Sequence, residues 1–374
     1  MTPIKLTLHN LASASGEQKL RTELLEWFRK HARKLPLRRR SGPYEVLVSE
    51  VMLQQTRVDT VIPYYGRFLR EFPTVDSLAE APIEKVLSLW SGLGYYRRAR
   101  HLHAAAKLVV EEGGFPRSER ELRRLPGVGA YTAAAVASIS FGEPVAVLDG
   151  NVERVVGRLI ALSADPKRKQ ARLKLLAKAT ELLDRGAPGD SNQALMEIGA
   201  TVCSPLRPRC SECPLGQDCL ARASGHPEAY PPRRESRRPI VEKRIVVVVE
   251  EKGRILLCRN SDDEKILAGL WELPWTKRSG ERKAGWELAL AQRYGGTWSL
   301  GRKLGEARHH ITFRDLRLEI RRARVVYDDD VVAESEAGEM SWRNRQELSS
   351  IPTSSMMDKV LDQADGGAER GRGR

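Results

Sequence analysis

The spacing of apolar positions changes once along the chain, near residue 240. Before that point, from about residue 17, apolar residues recur every three or four positions, and breaks rich in glycine and proline separate the runs. Helices are predicted near residues 20–31, 46–61 and 132–139. The first part of the chain is therefore predicted to be mainly α-helical.

The second part of the chain shows the short β-branched and apolar runs of strands. These runs lie at residues 245–249, 254–258, 316–320 and 324–327. Glu251-Lys252-Gly253 separates the first two runs and predicts a hairpin between them. A helical pattern lies near residues 286–294. The second domain is thus predicted to be α+β.

Composition places the boundary between the two domains. Residues 221–243 are rich in Pro, Arg, Glu and Ser and lack apolar periodicity, as expected of a linker. We predict a helical domain at residues 17–225, a linker at 226–243 and a second domain at 244–362. Residues 363–374 are rich in Gly and Arg and are predicted to be a disordered basic tail.

The chain is strongly basic. Its 374 residues include 63 Lys and Arg against 49 Asp and Glu, a formal net charge of +14. A polyanion such as nucleic acid is the natural partner, although net charge has no specificity and a basic protein without such a partner remains an alternative. No run approaches the roughly 18 apolar residues of a membrane span, and no signal peptide is recognisable. We expect a monomeric cytoplasmic protein of bacterial type, associated with the nucleoid and not with membranes.

Four of the five cysteines lie within one short stretch. They are Cys203, Cys210, Cys213 and Cys219. Thiols this close together are typical ligands of one inorganic centre rather than a disulfide framework. The fifth, Cys258, lies in a strand-like run where a small apolar residue fits. The stretch is therefore predicted to bind a metal centre.

Two glycines mark a sharp turn between predicted helices. Gly127 and Gly129 lie in the sequence Leu-Pro-Gly-Val-Gly-Ala-Tyr-Thr-Ala, just before a helix of small residues. Glycine lets backbone N–H groups approach an anion, and the start of a helix adds partial positive charge. The turn is a candidate phosphate site, and a plain helix–helix connection is the alternative.

Two carboxylates occupy positions that suggest chemistry. Glu50 is embedded in apolar sequence on a predicted helix, whereas most helical glutamates are solvated. Asp149 ends an apolar run and precedes a helical pattern. A role for Asp149 as the N-cap of that helix, alone or together with catalysis, is open.

Residues 48–56, Val-Ser-Glu-Val-Met-Leu-Gln-Gln-Thr, closely resemble the signature of the adenine DNA glycosylase family, usually called MutY, in the endonuclease III helix-hairpin-helix superfamily. Further similar segments follow in order at residues 90–97, 125–133, 149–152 and 194–200. The resemblance is dense over residues 17–225. The second domain resembles the MutT/Nudix fold more thinly, through Leu-Trp-Glu-Leu-Pro at 270–274 and the position of the linker.

The resemblance implies base excision by two carboxylates. Glu50 would be the general acid that protonates adenine, and Asp149 would stay ionised and stabilise the oxocarbenium-like sugar, which is the logic of glycoside hydrolysis. Tyr131 and Asn151 would orient Asp149. Relatives that also cut the strand have a lysine at the position of Tyr131. The chain is therefore expected to be a monofunctional hydrolase that leaves an abasic site.

The resemblance also implies a cofactor and DNA contacts. A [4Fe-4S] cluster is expected on the four clustered cysteines, and Gly127 and Gly129 are expected to grip a backbone phosphate. The partner would be double-stranded DNA that contains an adenine:8-oxoguanine or adenine:guanine mispair, from which the base is extruded. The other residues expected to contact DNA are Arg38, Leu53, Gln54, Gln55, Thr56, Tyr95 and Thr312. Of these, Gln55 and Tyr95 are expected at the mispair itself.

Two positions depart from the family pattern. Leu37 stands where the family commonly has tryptophan, so one wall of the adenine pocket is expected to be altered. Some members carry a Phe-Ser-His turn in the second domain, whereas here the nearest stretch is His-His-Ile-Thr-Phe at 309–313. Thr312 has a hydroxyl in place of the serine, but the histidine of the turn is missing. The strength of the preference for 8-oxoguanine is therefore open.

Three other functions are compatible with parts of the sequence. The first is an endonuclease III-like glycosylase and lyase for oxidised pyrimidines, which Tyr131 and the Gln54-Gln55 pair disfavour. The second is a non-catalytic DNA-binding protein with a redox-sensing cluster, which the presence of both carboxylates disfavours. The third is a nucleotide pyrophosphatase in the second domain. That chemistry needs a dense glutamate cluster for magnesium, and the relevant segment offers only Glu281 and Glu287.

Overall fold

The structure is a computed structural model that describes residues 14–232, 238–261, 266–278, 280, 282–327 and 338–370. The chain divides into two compact units. One comprises Met1–Ala79 and Ala104–Glu235, and the other comprises Glu80–His103 and Ser236–Arg374. The second unit thus includes a segment that the sequence placed in the first domain.

Helices make up the described residues before the strands begin, as the sequence predicted. They are α1 (Ala14–His31), α2 (Pro43–Leu53), α3 (Val58–Glu71), α4 (Val75–Glu80), α5 (Ile83–Trp90), α6 (Arg97–Glu111), α7 (Glu119–Leu122), α8 (Ala130–Phe141), α9 (Gly150–Leu159), α10 (Lys169–Glu181), α11 (Pro188–Thr201) and α12 (Leu220–Ala223). Short 3-10 turns lie at Pro36–Arg38, Cys210–Glu212 and Pro227–Ala229. No helix among the described residues is long and apolar enough to cross a membrane.

The single helix predicted at residues 46–61 is wrong. The structure has two helices there, α2 and α3, because the backbone leaves the helical conformation after Leu53. Gln55 has a φ of +57°, in the left-handed region that ends a helix. The break sets the end of α2 at the Gln-Gln-Thr part of the family signature.

The core of the first unit forms where small and branched apolar residues pack. Helix α8 is rich in alanine and is buried from Thr132 to Ser138, so neighbouring helices can approach its backbone closely. Leu20 and Leu24 of α1, Val152 of α9 and Leu195 of α11 belong to the same buried cluster. Helices α8, α9 and α11 are thereby fixed against one another around the residues that precede and follow Asp149.

The described residues of the second unit form two four-stranded sheets. Its strands are β1 (Ile240–Val248), β2 (Glu250–Glu251), β3 (Arg254–Asn260), β4 (Trp271–Glu272), β5 (Trp275–Lys277), β6 (Thr297–Ile311), β7 (Arg314–Val326) and β8 (Gly338–Asn344). One sheet has the order β5-β1-β7-β6, with β1 parallel to β7. In the other, β3 pairs with β2, β4 and β8. Helices α13 (Lys283–Tyr294) and α14 (Ser355–Arg370) and a 3-10 turn at Arg345–Ser349 complete the unit.

Alternating residues of β1 point to two separate cores. Ile245 and Val247 pack with Trp286 and Leu290 of α13. Val246 and Val248 pack in a second cluster with the methionines of α14. A sheet between two helices is the α+β architecture that the sequence predicted.

Several boundaries in the second unit differ from the prediction. The hairpin joins β2 to β3, whereas β1 pairs in the other sheet with β5 and β7. The runs at 316–320 and 324–327 form one strand, β7, and β1 begins at Ile240, inside the predicted linker. Helix α14 continues to Arg370, through the first part of the predicted disordered tail, and Ala364 of that part belongs to the buried core. Residues 371–374 of that tail lie outside the described residues.

Candidate active site and cysteine loop

Glu50 lies on α2, a helix that is buried on almost every side. Eight of its eleven residues are buried, because the sequence is apolar at most positions. Glu50 itself is 7% exposed. Burial raises the pKa of Glu50 to about 7, because a charged carboxylate is poorly solvated there. Much of the Glu50 carboxyl is therefore protonated at neutral pH.

The hydroxyl of Tyr131 donates a hydrogen bond to Oε2 of Glu50 at 2.5 Å. Tyr131 is the second residue of α8, and the glycine turn fixes its place. Gly127 has a φ of +73°, which favours glycine, and Gly129 is the N-cap of α8. The Tyr131 hydroxyl also lies 3.4 Å from Sδ of Met196. The geometry thus joins Tyr131 to Glu50, whereas phosphate binding at the two glycines stays a prediction.

Asp149 is the N-cap of α9. Its Oδ1 accepts a hydrogen bond from the backbone N–H of Val152 at 2.7 Å, and its Oδ2 accepts one from Nδ2 of Asn151 at 3.2 Å. Burial raises the pKa of Asp149, while these two bonds and the charge of Arg154 oppose the rise. The N-cap role that the sequence left open is confirmed. The predicted contact of Asn151 with Asp149 is present as well.

Glu50, Asp149 and Tyr131 lie in one place. After burial, the charges of Glu50 and Asp149 are the next causes that raise the pKa of the Tyr131 phenol. The charge of Asp149 likewise raises the pKa of Glu50. The structure therefore brings together the two carboxylates that the sequence singled out. Tyr131 is bonded to Glu50 rather than to Asp149, the residue that it was expected to orient.

Helix α11 positions Asp149 from two points. Asn192 is fully buried. It accepts a hydrogen bond from the N–H of Val147 at 3.0 Å and donates one to the carbonyl of Val145. Gly199 allows α11 to approach the start of α9, since a Cβ there would lie 2.5 Å from Cβ of Asn151. Nothing in the local sequence marks Asn192, because its partners are distant in the chain, whereas Gly199 lies within residues 194–200, a segment that resembles the family.

A buried acidic side chain lies next to this site. Glu197 of α11 accepts hydrogen bonds from Arg33 at 2.6 Å and 3.0 Å and from Arg38 at 2.8 Å. The charge of Arg38 also lowers the pKa of Glu50, against the effect of burial. Arg38, expected to contact DNA, is thus part of an ion-pair network beside the carboxylates. A lone glutamate in the apolar Ala-Leu-Met-Glu-Ile-Gly segment was the only sequence signal for this network.

Four residues predicted to contact DNA lie at the C-terminal end of α2 and just after it. Leu53, Gln54 and Thr56 are half-buried, whereas Gln55 is exposed. The Nε2 of Gln54 donates a hydrogen bond to Oγ1 of Thr132 on α8 at 3.2 Å. Gln55 is therefore the member of this group with the most accessible side chain. Contacts of the four residues with DNA stay predictions.

Two predicted DNA contacts belong to the second unit. Tyr95 lies in the turn between α5 and α6 and is 42% exposed, with a φ of +51°. Thr312 is exposed at the tip of the β6–β7 hairpin and has a φ of +56°. Phe313, beside it, is also exposed. Both Tyr95 and Thr312 are presented on turns, where side chains can reach a partner.

The four clustered cysteines line a single cavity. It is bordered by Cys203, Cys210, Cys213 and Cys219 and by Arg158, Arg209 and Arg222, among other residues. Nη1 of Arg158 donates a hydrogen bond to Sγ of Cys203 at 3.2 Å. Thiols surrounded by guanidinium groups fit an anionic, thiolate-ligated centre. The four thiols share this cavity, but no three or more His, Cys, Asp or Glu side chains among the described residues are arranged around a single metal ion, so the [4Fe-4S] cluster stays a prediction.

Comparison with known proteins identifies the class of two parts of the chain. Residues 48–180 match the HhH-GPD superfamily of base excision DNA repair proteins, and residues 244–363 match a NUDIX domain. A solved structure of a thermostable thymine-DNA glycosylase is 26% identical with a TM-score of 0.51, covering 56% of this chain and 97% of its own. The helical fold with its glycine turn and its two neighbouring carboxylates is that of a DNA glycosylase.

Curated relatives narrow the class. The adenine DNA glycosylase of Homo sapiens is 37% identical over 91% of this chain and 73% of its own length. The adenine DNA glycosylase of Arabidopsis thaliana is 39% identical over 71% of this chain, which spans about half of that protein, 49%. The chain belongs to the adenine DNA glycosylase family.

Proposed function

We propose that this protein hydrolyses the N-glycosidic bond of adenine mispaired with 8-oxoguanine or guanine in double-stranded DNA and leaves an abasic site. One observation carries the proposal: a buried carboxyl group with a pKa of about 7, Glu50, lies near a second, half-buried carboxylate, Asp149. Departure of a base needs a proton on the base and negative charge near the sugar. The two side chains meet these two needs.

Glu50 supplies the proton. Oε2 of Glu50 accepts the Tyr131 hydrogen bond, which leaves Oε1 to carry the acidic proton that is transferred to a ring nitrogen of adenine. Burial keeps the proton on the carboxyl group up to about pH 7. Protonated adenine is a better leaving group, and the glycosidic bond lengthens as the proton is transferred.

Asp149 supplies the negative charge. Two hydrogen bonds and the N-terminus of α9 stabilise its ionised form, because the first turn of a helix carries partial positive charge. The carboxylate then stabilises the positive charge that develops on the sugar, directly or through a transient covalent bond. Asn151, bonded to Oδ2, orients the carboxylate for this task.

The chemistry at the sugar ends with water rather than with an amine. A glycosylase that also cuts the strand needs an amine nucleophile that forms a Schiff base with the sugar. At the corresponding position this chain has Tyr131, whose hydroxyl is bonded to Glu50. We propose a monofunctional enzyme, and a stoichiometric adduct trapped with borohydride would contradict this.

A [4Fe-4S] cluster would be held by Cys203, Cys210, Cys213 and Cys219, which line one cavity with arginine side chains. When bound, it would cross-link the loop between the first and last of these cysteines. Arg207 and Arg209 within that loop would then face DNA phosphates. The hydrolysis itself is assigned to the carboxylates.

Mispair selection is assigned to exposed residues of both units. Gln55 is assigned to the space left by the extruded adenine, and Tyr95 is assigned a contact with the mispair. The NUDIX domain would contact 8-oxoguanine, with Thr312 at the exposed tip of the β6–β7 hairpin. Each assignment comes from the family resemblance and is supported by the exposure of the side chain.

Cleavage of defined duplexes tests the function. Duplexes with adenine opposite 8-oxoguanine, guanine, cytosine or thymine are incubated with the protein and then with alkali, which cuts at abasic sites. We expect cleavage mainly for the first two. E50Q should bind the duplex as tightly as the wild type and release no adenine. E45Q, on the same helix but partly exposed, is the matched control, and undiminished release by E50Q would remove Glu50 from the role of acid.

A further inference from the structure

The turn that presents Tyr95 has an unfavourable backbone conformation. Gly92 and Gly94 have φ values of +89° and +75°, and Tyr95, which has a side chain, has a φ of +51°. A non-glycine residue in the left-handed region is held there only when its surroundings fix it. The turn must therefore be fixed by contacts outside Tyr95 itself.

Hydrogen bonds from neighbouring side chains hold the backbone just before Tyr95. The indole N–H of Trp90 donates to the carbonyl of Gly94 at 3.1 Å, and Nη2 of Arg98 donates to the same carbonyl at 2.9 Å. The guanidinium of Arg98 lies 5.3 Å from the centre of the Tyr95 ring. The ring of Tyr95 is thus directed by a fixed backbone and a stacked cation.

Two hydroxyl groups tie the same turn to one carbonyl of the C-terminal segment. Ser91 Oγ and the Tyr96 hydroxyl each donate to the backbone carbonyl of Thr353 at 2.8 Å. The Tyr96 hydroxyl also accepts a hydrogen bond from the N–H of Gly92 at 3.1 Å. Residues on both sides of Tyr95 are therefore bonded to a single acceptor.

Thr353 is part of the framework of the NUDIX-type domain. It is buried and forms an isolated parallel bridge with Trp271 of β4. The N–H of Trp271 donates to the carbonyl of Pro352 at 2.9 Å. An ion pair between Arg259 of β3 and Glu84 of α5, at 3.1 Å, also joins the 80–103 segment to the rest of the second unit. The turn and β4 are thereby connected through two adjacent carbonyls, that of Thr353 for the turn and that of Pro352 for β4.

We propose that Ser91 and Tyr96 are positioning residues through which the NUDIX-type domain sets the conformation of Tyr95 and so contributes to mispair binding. The inference rests on the proposed function, because it assumes that Tyr95 contacts the mispair. It assigns the second domain an effect on the mispair that passes through the Tyr95 turn and is separate from the contact expected of Thr312.

Binding and excision by the full-length chain test the proposal. The test variants are S91A and Y96F, which each delete one hydroxyl. The control is S88A, because the Ser88 hydroxyl bonds locally to the carbonyl of Lys85. The probe is a duplex with 2′-fluoro-deoxyadenosine, which resists cleavage, opposite 8-oxoguanine. We expect a loss of affinity of about fivefold for S91A, as for one neutral hydrogen bond, at least as large a loss for Y96F, whose hydroxyl makes two hydrogen bonds, and none for S88A.

A double-mutant cycle separates positioning from general stability. If Ser91 and Tyr96 act through Tyr95, both losses should disappear when the same substitutions are made in Y95A. Losses that persist in Y95A, or unchanged affinity in the single variants, would overturn the proposal. Excision by the wild type is measured in parallel, since failure to release adenine would refute the proposed function instead. Thermal unfolding of each variant checks that the fold is retained.

Discussion

Replacing Tyr131 with Phe removes one hydroxyl group and keeps the aromatic ring. That hydroxyl donates to Oε2 of Glu50 and stabilises the ionised carboxylate, so it lowers the pKa of Glu50 against the larger effect of burial. Without it, the pKa of Glu50 should rise above its value of about 7. Y131F therefore tests whether the buried carboxyl is the acid of the reaction.

The expected shift follows from the strength of one hydrogen bond. A hydrogen bond to a charged group contributes roughly 1.5 to 3 kcal/mol, and one pKa unit corresponds to about 1.4 kcal/mol. The hydroxyl of Tyr131 also bonds to the protonated carboxyl, so only part of this energy distinguishes the two forms. A rise of about one unit in the pKa of Glu50 is expected.

The direction of the effect on activity depends on which protonation state of Glu50 is active. Excision needs protonated Glu50, so kcat/KM should fall as the pH rises through the pKa of the free protein. In the wild type this decline should be centred near pH 7, and in Y131F it should lie at higher pH. The maximum rate of Y131F is expected to be lower, because the ring no longer holds the carboxyl by a hydrogen bond.

Adenine release measured between about pH 5.5 and 9 checks the prediction. Y64F, a change on α3 away from the carboxylates, is the control and should follow the wild-type profile. A decline in Y131F at the same pH as in the wild type, or at lower pH, would refute the reasoning. Either result would mean that Glu50 is not the titrating acid or that Tyr131 does not bond to it in solution.

Three further predictions address the neighbouring groups. D149N should abolish adenine release yet unfold at nearly the wild-type temperature, because asparagine is an equally good N-cap, and a large drop in melting temperature would contradict this. E197A leaves two arginines without their carboxylate, so the free energy of unfolding measured in urea should fall by about 2 to 3 kcal/mol. E112A, which breaks an exposed ion pair, should lower it by less than about 1 kcal/mol. C213S should lose the iron measured by elemental analysis, whereas C258S should retain it, and equal iron in both would exclude the proposed cluster ligand.

Local patterns predicted the features that depend on local sequence. The small residues around α8 and the capping position of Asp149 are visible as spacing and composition, and both are present in the structure. The break after Leu53 is not, because apolar residues continue at helical spacing to Val61 while the positive φ of Gln55 depends on its surroundings. Helix periodicity alone therefore located this helix and misjudged its end.

Strand pairing lay beyond the sequence for a different reason. Alternation marks residues 245–249 as a strand, but it does not specify which strand is the partner. In the structure β1 pairs with β7, which is distant in the chain, and the chain passes to the other sheet at Val249. Long-range pairing depends on burial of both faces of β1, which no short window of sequence contains.

The candidate site combines both kinds of information. Glu50 and Asp149 were singled out because their segments resemble a family signature, and the structure adds that Tyr131 lies beside both. The bond from Tyr131 to Glu50 instead of Asp149 could not be read from the sequence. The support from Asn192 was equally hidden, because that residue has no local mark and its partners lie elsewhere in the chain.

Unequal surroundings explain how the buried Glu50 and the half-buried Asp149 can have different tasks. Burial raises the pKa of both, but Asp149 is bonded to a backbone N–H and to Asn151 at the positive end of a helix, all of which favour its charge. Glu50 lies in the middle of an apolar helix, where its hydrogen bond from Tyr131 only partly offsets the cost of burial. The proton therefore resides preferentially on Glu50. The charge of Asp149 further raises the pKa of Glu50. The ionised Asp149 carboxylate therefore helps to keep Glu50 protonated, which is the form that the reaction needs.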